Sequence, residues 1–366
     1  MNLIQIDIPA SARNTGTMWS RWRNRGLPAY GLAVMLTLFY VLVYWFPGPL
    51  APLTSMLDPI ARSVRGAASD QWFLYGTLYT VAVLVMGVRM LVRYRTERYH
   101  VIRTLTLMTV QLVLSYLIPA TLVRLEMKEF YFSYFWPLKP EYLFPGSIDV
   151  LLASDHGLYV FMAWWTLLMS VVATPVLTFF FGKRWYCSWV CGCGALAETA
   201  GDPFRHLSSS TLASWKLERW LVHGILLVVI LVTALVWWAN ADPASPLASI
   251  ATTANRVYGF AIGGLFSGVI GVGFYPLLGS RVWCRFGCPM AAVLGILQKF
   301  ASRFRITTNG GQCISCGNCT TYCEMGIDVR MYAQRGEDIK RASCVGCGVC
   351  ASVCPRGVLK LENRKD

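Results

Sequence analysis

The chain has 366 residues, 55% of them hydrophobic and only 14% charged, with a formal net charge of +14. A soluble globular domain carries about 25% charged residues, so the composition excludes an ordinary soluble protein and points to a membrane protein with a polar tail. Such a positive balance also suits nucleic-acid binding. Lys and Arg gathered on one face of a membrane protein account for it more simply, and no nucleic-acid partner is expected.

Residues 1–27 are polar, and the apolar run after them is too long and badly flanked for a cleavable leader, so it is expected to act as an uncleaved anchor. A span needs about 20 mostly apolar residues. In chain order the candidates lie at 28–46, 72–92, 102–123, 158–182, 219–239 and 258–279. Gln111 and Pro119 interrupt the third, which would alternatively pair with the second as a shallow hairpin. The loop after it carries an aromatic run at 130–137. This run reads as an interfacial belt, with a quinone pocket or docking surface as the functional alternative. In the sixth candidate, Gly264 and Gly268 sit four apart and predict close helix packing.

The basic residues set the expected orientation. One side collects Arg13, Arg21, Arg23 and Arg25, then Arg89, Arg93, Arg95, Arg98 and Arg103, then Lys183, Arg184, Arg205, Lys216 and Arg219, then Arg281 and Arg285. The other side holds only Arg62, Arg65, Arg124, Lys128, Lys139 and Arg256. The asymmetry predicts a multi-pass protein of a bacterial cytoplasmic (inner) membrane with both termini in the cytoplasm.

All thirteen cysteines follow residue 186. Clustered short spacings favour metal ligation over a disulfide scaffold. Cys313, Cys316, Cys319 and Cys323 form a C-x2-C-x2-C-x3-C run, and Cys344, Cys347, Cys350 and Cys354 repeat it, followed by Pro355. In two-cluster ferredoxins the fourth Cys of each run ligates the other cluster. The expected sets are therefore Cys313, Cys316, Cys319 and Cys354 for one [4Fe–4S] cluster, and Cys344, Cys347, Cys350 and Cys323 for the second. Gly317, Gly346 and Gly348 allow tight backbone turns around them. Two zinc knuckles are a poorer fit to two full four-Cys runs. Glu324 stands where Pro would follow the first run, and the stretch from Glu324 to Ser343 is expected to contain a short helix or loop insertion near 329–333. Four histidines, His100, His156, His206 and His223, offer no matched pair for a membrane haem.

The remaining cysteines lie in a repeat. Gly182, Arg184, Tyr186, Cys187 and Cys191 align with Gly279, Arg281, Trp283, Cys284 and Cys288 at one constant offset. Each copy reads as a span, a basic collar and a C-x3-C pair, and cysteines four apart would share a helix face. Three readings stand. The two pairs build a redox or metal site, such as a third Fe–S centre; or they form reversible disulfides; or they are buried packing residues. Cys193 is an extra thiol with no counterpart in the second copy.

From about residue 179 to 363 the chain resembles the NapH/NosR-type membrane ferredoxins, with which a CcoG-like branch shares its plan. The resemblance rests on the paired C-x3-C motifs and the two ferredoxin runs. Cys284 to Pro289 keeps the family's C-x3-C-P, whereas Cys191 is followed by Gly192 and Cys193. The resemblance implies an iron–sulfur electron-transfer subunit of a respiratory complex, tied to quinol oxidation, with quinone and other redox subunits as partners. The alternative it implies is a copper-handling assembly factor with ferredoxin-powered thiols. The expected architecture is an all-α polytopic bundle of about six transmembrane helices with a C-terminal α+β two-cluster ferredoxin-like domain. Its expected segments are a cytoplasmic 1–27, a transmembrane 28–305 with the two C-x3-C motifs at its cytoplasmic edge, and a cytoplasmic ferredoxin-like 306–366.

Overall fold

The structure, a computed structural model, describes residues 26–363. The expected N-terminal segment with Arg13, Arg21, Arg23 and Arg25 lies outside the described residues. Among the described residues, five helices are long and apolar enough to cross a membrane: α1 (Leu27–Trp45), α2 (Gln71–Arg93), α3 (Arg98–Arg124), α4 (Gly157–Phe181) and α5 (Leu212–Ala241). Side-chain size and polarity sort their faces. On α2, Val81, Val85, Val88 and Val92 point outward at helical spacing, while Phe73, Thr80, Val83, Gly87 and Met90 are buried. The lipid side is thus uniformly apolar, and the few polar groups face the bundle. Local chemistry sets the helix starts. Asp70 Oδ1 accepts the Phe73 N–H at 2.7 Å, His156 Nδ1 accepts that of Leu158 at 3.3 Å, and Thr211 accepts that of Ser214 at 3.3 Å, each an N-cap contact.

The interruption expected in the third candidate is absorbed within one helix. α3 runs through Pro119 by widening to i→i+5 turns at Val113–Leu117, and α4 does the same at Leu168–Ala173 ahead of Pro175. Proline removes one N–H and crowds the carbonyl four residues back, and a widened turn relieves both effects.

The sixth expected span needs correction. α6 begins at Leu247–Tyr258, with Asn255 and Arg256 in its first half, and continues as Gly259–Ile270. It then breaks at a turn over 271–274 before the single-turn helix Tyr275–Leu278. The break comes where side chains would collide: a Cβ on Gly271 would strike Trp283, and one on Gly273 would strike Thr37 of α1. Gly264 and Gly268 do serve helix packing, against Trp45, Tyr44 and Tyr40 of α1.

α7 (Pro289–Phe300) leads into a small polar domain. There β1 (Phe304–Thr308) pairs antiparallel with β2 (Leu359–Asn363), with Ile306 opposite Leu361, and Ile306 also bridges to Ile339. Between the strands lies α8 (Val329–Arg335), capped by Asp328.

Candidate functional site

The polar domain brings the eight ferredoxin-run cysteines into two groups. One cavity of about 350 Å³ is lined by Cys313, Cys316, Cys319 and Cys354, with Gly317, Pro355 and Val358 among the other walls. A second, of about 370 Å³, is lined by Cys323, Cys344, Cys347 and Cys350 together with Ile306, Met325, Ile327 and Ile339. The fourth cysteine of each run thus faces the other run's cavity. Gly317 and Gly348 hold φ near +82° and +83° at matching points of the two runs, each opening a one-turn helix that carries the third cysteine. Four thiols converging on a mostly apolar pocket, with Arg330 and Arg356 also at the first and Glu324 at the second, fit a [4Fe–4S] cube. Burial pushes the Cys319 thiol up to about 11 and that of Cys323 up to about 12, the opposite of an activated nucleophile.

The two cavities differ in their surroundings. Cys316 is exposed and the neighbouring Ile314 is 59% exposed, so the first cavity opens to the outer surface of the domain. The second sits on the helical bundle, and its backbone carbonyls are tied there one after another. Lys183 Nζ donates to Ala342 O at 3.3 Å, Gln298 Nε2 to Cys344 O at 2.8 Å, Ser188 Oγ to Val345 O at 2.8 Å and the Tyr99 hydroxyl to Gly346 O at 2.9 Å. The Arg103 guanidinium donates to Cys347 O, and His100 Nε2 pairs with Ser352 Oγ at 2.6 Å.

The C-x3-C motifs do not lie on single helix faces. Cys187 ends the one-turn helix Arg184–Cys187, and Cys191 precedes Gly192–Glu198 in extended conformation. Cys284 sits in a widened turn, Trp283–Gly287, and Cys288 is extended before Pro289, as the residue before a proline prefers to be. Both copies close with the same i→i+5 bond, Cys191 N–H to Tyr186 O at 2.8 Å and Cys288 N–H to Trp283 O at 2.9 Å. Both start from a glycine with positive φ, Gly182 at 67° and Gly279 at 99°. Each motif is a re-entrant hairpin.

The first hairpin reaches deep into the bundle. The Tyr79 hydroxyl donates to Gly192 O at 2.8 Å. Tyr79 lies fourteen residues from Arg93, about 21 Å along α2 at 1.5 Å per residue. A Cβ on Gly192 would also meet the Tyr134 hydroxyl at 2.9 Å and Gln111 Oε1 at 3.2 Å. Gln111 is thirteen residues, about 20 Å, from the start of α3. The apex thus lies about 20 Å along both helices from their arginine-bearing ends, well inside the helical bundle. The aromatic run at 130–137 is not a surface belt. Phe130 and Phe135 are buried, Phe135 stacks on Trp185 at 6.2 Å, and Tyr186 O–H donates to Ser133 O at 2.9 Å. Non-helical backbone at membrane depth survives only when enclosed by protein, and this loop encloses the hairpin. Cys187, Cys191, Cys284 and Cys288 belong to one buried group with Cys193 packed beside it.

Between hairpins and cavities lies a buried ionic lattice. Glu198 meets Arg103 at 3.0 Å, Arg205 at 2.5 Å and Arg281 at 2.7 Å; Glu324 meets Arg205 at 2.6 Å and Arg281 at 3.0 Å. Asp202 takes Arg205 at 2.8 Å and Arg93 at 2.5 Å. Burial pulls the Glu324 carboxyl above the ordinary range, with Arg205 and Arg281 opposing it.

A family model described as "4Fe-4S binding domain" matches twice, at residues 163–210 and 260–307, and one described as "4Fe-4S dicluster domain" matches 312–359. The two copies of the first fall on the helix-plus-hairpin repeat. The methylamine utilization ferredoxin-type protein MauN of Methylobacillus flagellatus is 27% identical over 160 residues, 43% of this chain and 54% of its own length. The putative electron transport protein YccM of Escherichia coli is 30% identical over 157 residues, 40% and 43% of the two chains. The ferredoxin-type protein NapH of the same organism is 28% identical over 161 residues, 43% and 53%. Over about two fifths of its length the chain is similar to these ferredoxin-type and electron-transport proteins. The match spans about half the length of these curated relatives, and no solved structure matches it. The matches support an iron–sulfur electron-transfer role for this chain, and the two groups of four cysteines fit two [4Fe–4S] clusters. Sequence reasoning missed Glu198, Arg103 and His100 as parts of its site. The one available signal was charged and polar groups inside or beside apolar stretches, and their partners lie far away in the chain.

Proposed function

We propose that this protein is the membrane subunit of a bacterial respiratory complex, carrying electrons between the quinone pool and a partner redox protein from the cytoplasmic face of the inner membrane. The observation that carries the reading is the contrast between the two cavities, one exposed at Cys316 and one fastened to the bundle through five carbonyls between Ala342 and Cys347. In this reading Cys313, Cys316, Cys319 and Cys354 hold the outer cluster, and Cys323, Cys344, Cys347 and Cys350 hold the inner one. The bound clusters supply one-electron transfer.

The chain's own residues place and shield them. Ile306, Met325, Ile327 and Ile339 keep water from the inner set. Tyr99, Arg103, Gln298, Ser188 and Lys183 fix that set against the helices that a lipid-soluble quinone can reach. The exposed rim at Ile314 and Cys316 is where a partner subunit would approach. Arg89, Arg93, Arg95, Arg98 and Arg103 lie at the end of the bundle that carries the polar domain, which supports a cytoplasmic placement of that domain.

The test is anaerobic EPR of inverted and right-side-out vesicles during titration with a short-chain quinol. Reversible change of the cluster signals with the quinol/quinone ratio, together with protease access to the polar domain only in inverted vesicles, is the expected result. Signals that ignore the quinone couple over its whole range refute the proposed donor or acceptor.

A further inference from the structure

At the end of the bundle that carries the polar domain, α5 and α7 present a surface that neither ferredoxin cavity uses. We propose that this surface binds an anionic phospholipid, whose phosphate sits between Arg219 of α5 and Arg341 of the polar domain beside the ring of Trp215. The proposal goes beyond the electron-transfer reading and requires of it only that α5 crosses the membrane.

The two guanidinium groups come from distant parts of the chain and meet on one indole. Arg219 Cζ lies 5.1 Å and Arg341 Cζ 5.5 Å from the Trp215 ring centroid, both within the roughly 6 Å over which an aromatic face attracts a cation. Like charges gathered on one ring repel each other, and the protein supplies no anion to join them. Glu218, the carboxylate next in sequence, is buried and already engaged: it accepts from Arg285 Nε at 2.8 Å and from the Ser343 hydroxyl. Among the described residues neither Arg219 nor Arg341 is in an ion pair. A phosphate between them replaces the repulsion with charge-assisted hydrogen bonds, for which guanidinium is the best-matched side chain.

The pattern continues across α7, which packs against both α4 and α5. Lys299 Nζ lies 5.3 Å from the Phe300 ring, and Arg303 Cζ lies 4.8 Å from that of Phe179 at the end of α4. Among the described residues these two cations also have no carboxylate partner. Each cation therefore rests on a ring and keeps its charge free for an anion.

Position along α5 selects a lipid over a soluble anion. The helix has 30 residues, about 45 Å, more than a hydrocarbon core of about 30 Å requires. Arg219 is its last charged residue before Asp242, so the arginine stands at the polar rim of the span, where headgroups lie. Trp220 and Phe300 beside the cations are 82% and 73% exposed. They offer acyl chains an apolar wall that free phosphate has no use for, and basic pockets between helix ends take anionic headgroups in this way. The site also touches the electron carrier. Gln298 Nε2 of α7 donates to Arg341 O at 2.6 Å and to Cys344 O at 2.8 Å. A headgroup held by Arg341 and Arg219 thus fastens to the bundle the segment that opens the inner cavity.

The experiment places the anaerobically purified full chain in nanodiscs of equal parts phosphatidylcholine and phosphatidylglycerol with the same acyl chains, and reads the retained lipid by native mass spectrometry. The wild type is expected to favour phosphatidylglycerol by roughly thirtyfold, about the factor that two basic groups confer at an anionic lipid. Arg219→Gln/Arg341→Gln should lose that factor, and Arg256→Gln, at the opposite end of the bundle, should keep it. A wild type that retains both lipids alike overturns the site, and this comparison requires no variant to fold. A double variant with the wild-type preference, or an Arg256→Gln protein that also loses it, overturns the assigned residues. Displacement of the lipid by millimolar glycerophosphate overturns the lipid as occupant in favour of a soluble phosphate. Hydrogen–deuterium exchange over 341–345 should be slower in the mixed discs than in phosphatidylcholine alone, and equal exchange overturns the bridge to the polar domain. None of these outcomes bears on whether the clusters exchange electrons with quinol, so the two readings fail separately.

Discussion

Glu198→Gln is the sharpest probe of the buried lattice. The substitution keeps the shape of the side chain and removes one charge. Glu198 pairs with Arg103, Arg205 and Arg281 at 3.0, 2.5 and 2.7 Å, and both it and the three arginines are at most 1% exposed. Without it, Arg103, Arg205 and Arg281 share Glu324 as their remaining fully buried counter-charge apart from Asp202, which Arg93 also claims. Removing one partner of a buried ionic group typically costs about 3–5 kcal/mol, two to three and a half decades in the folding equilibrium at about 1.4 kcal/mol per decade. SDS-driven unfolding of the anaerobic protein in bicelles, followed by tryptophan fluorescence, measures the difference. The double variant Glu198→Gln/Arg103→Met restores the charge count and should recover a large part of the loss, since neutral replacement of whole buried ion sets is often tolerated. A Glu198→Gln protein within about 0.5 kcal/mol of wild type, the range of an ordinary surface change, would show that the lattice is solvated and that the charge argument is wrong.

Glu324→Gln should be milder than Glu198→Gln, because burial already draws Glu324 towards its neutral form. A carboxyl whose folded pKa is raised makes stability fall as pH climbs from its unfolded value, about 4.3, through the folded one; the glutamine variant should lack that decline in a pH series of the same unfolding assay. Cys354→Ser should alter the same EPR signal as Cys316→Ser, and Cys323→Ser the same one as Cys347→Ser; a pattern following the two runs in sequence order instead would contradict the exchange of fourth cysteines between cavities. Iron chelation should make the segment 310–358 protease-sensitive while far-UV helix content falls little, because the small domain has little core apart from its cavities; loss of the helical signal would show that the bundle depends on the clusters too.

What could be read in the sequence was local. Cysteine spacing located the two runs, and blocks of apolar residues located five crossing helices, because ligand spacing and span length are both short-range constraints. The sixth helix escaped that logic. Its polar first half and its break at Gly271 and Gly273 follow from contacts with Thr37 and Trp283, which no window of sequence contains. The depth of the C-x3-C motifs was hidden for the same reason. A basic collar before Cys187 suggests a membrane edge, and only Tyr79, Gln111 and Tyr134 at Gly192 show the hairpin turning inward. Glu324 was visible as a departure from proline, but its purpose required Arg205 and Arg281, 119 residues upstream in the first case. Tertiary pairing of charges leaves no periodic trace.

The exchange of fourth cysteines between the two cavities also constrains how the protein is made. The outer cavity takes Cys354, 35 residues after Cys319, and the inner one takes Cys323 from the run before it. The outer pocket is still incomplete when its own first three cysteines leave the ribosome, the inner one waits for Cys350, and the strand that pairs with β1 follows later still. By then α1 to α6 have already been handed to the translocation machinery. Iron delivery must therefore occur on a chain already anchored at the membrane, and the carrier that brings the clusters must work at the bilayer surface.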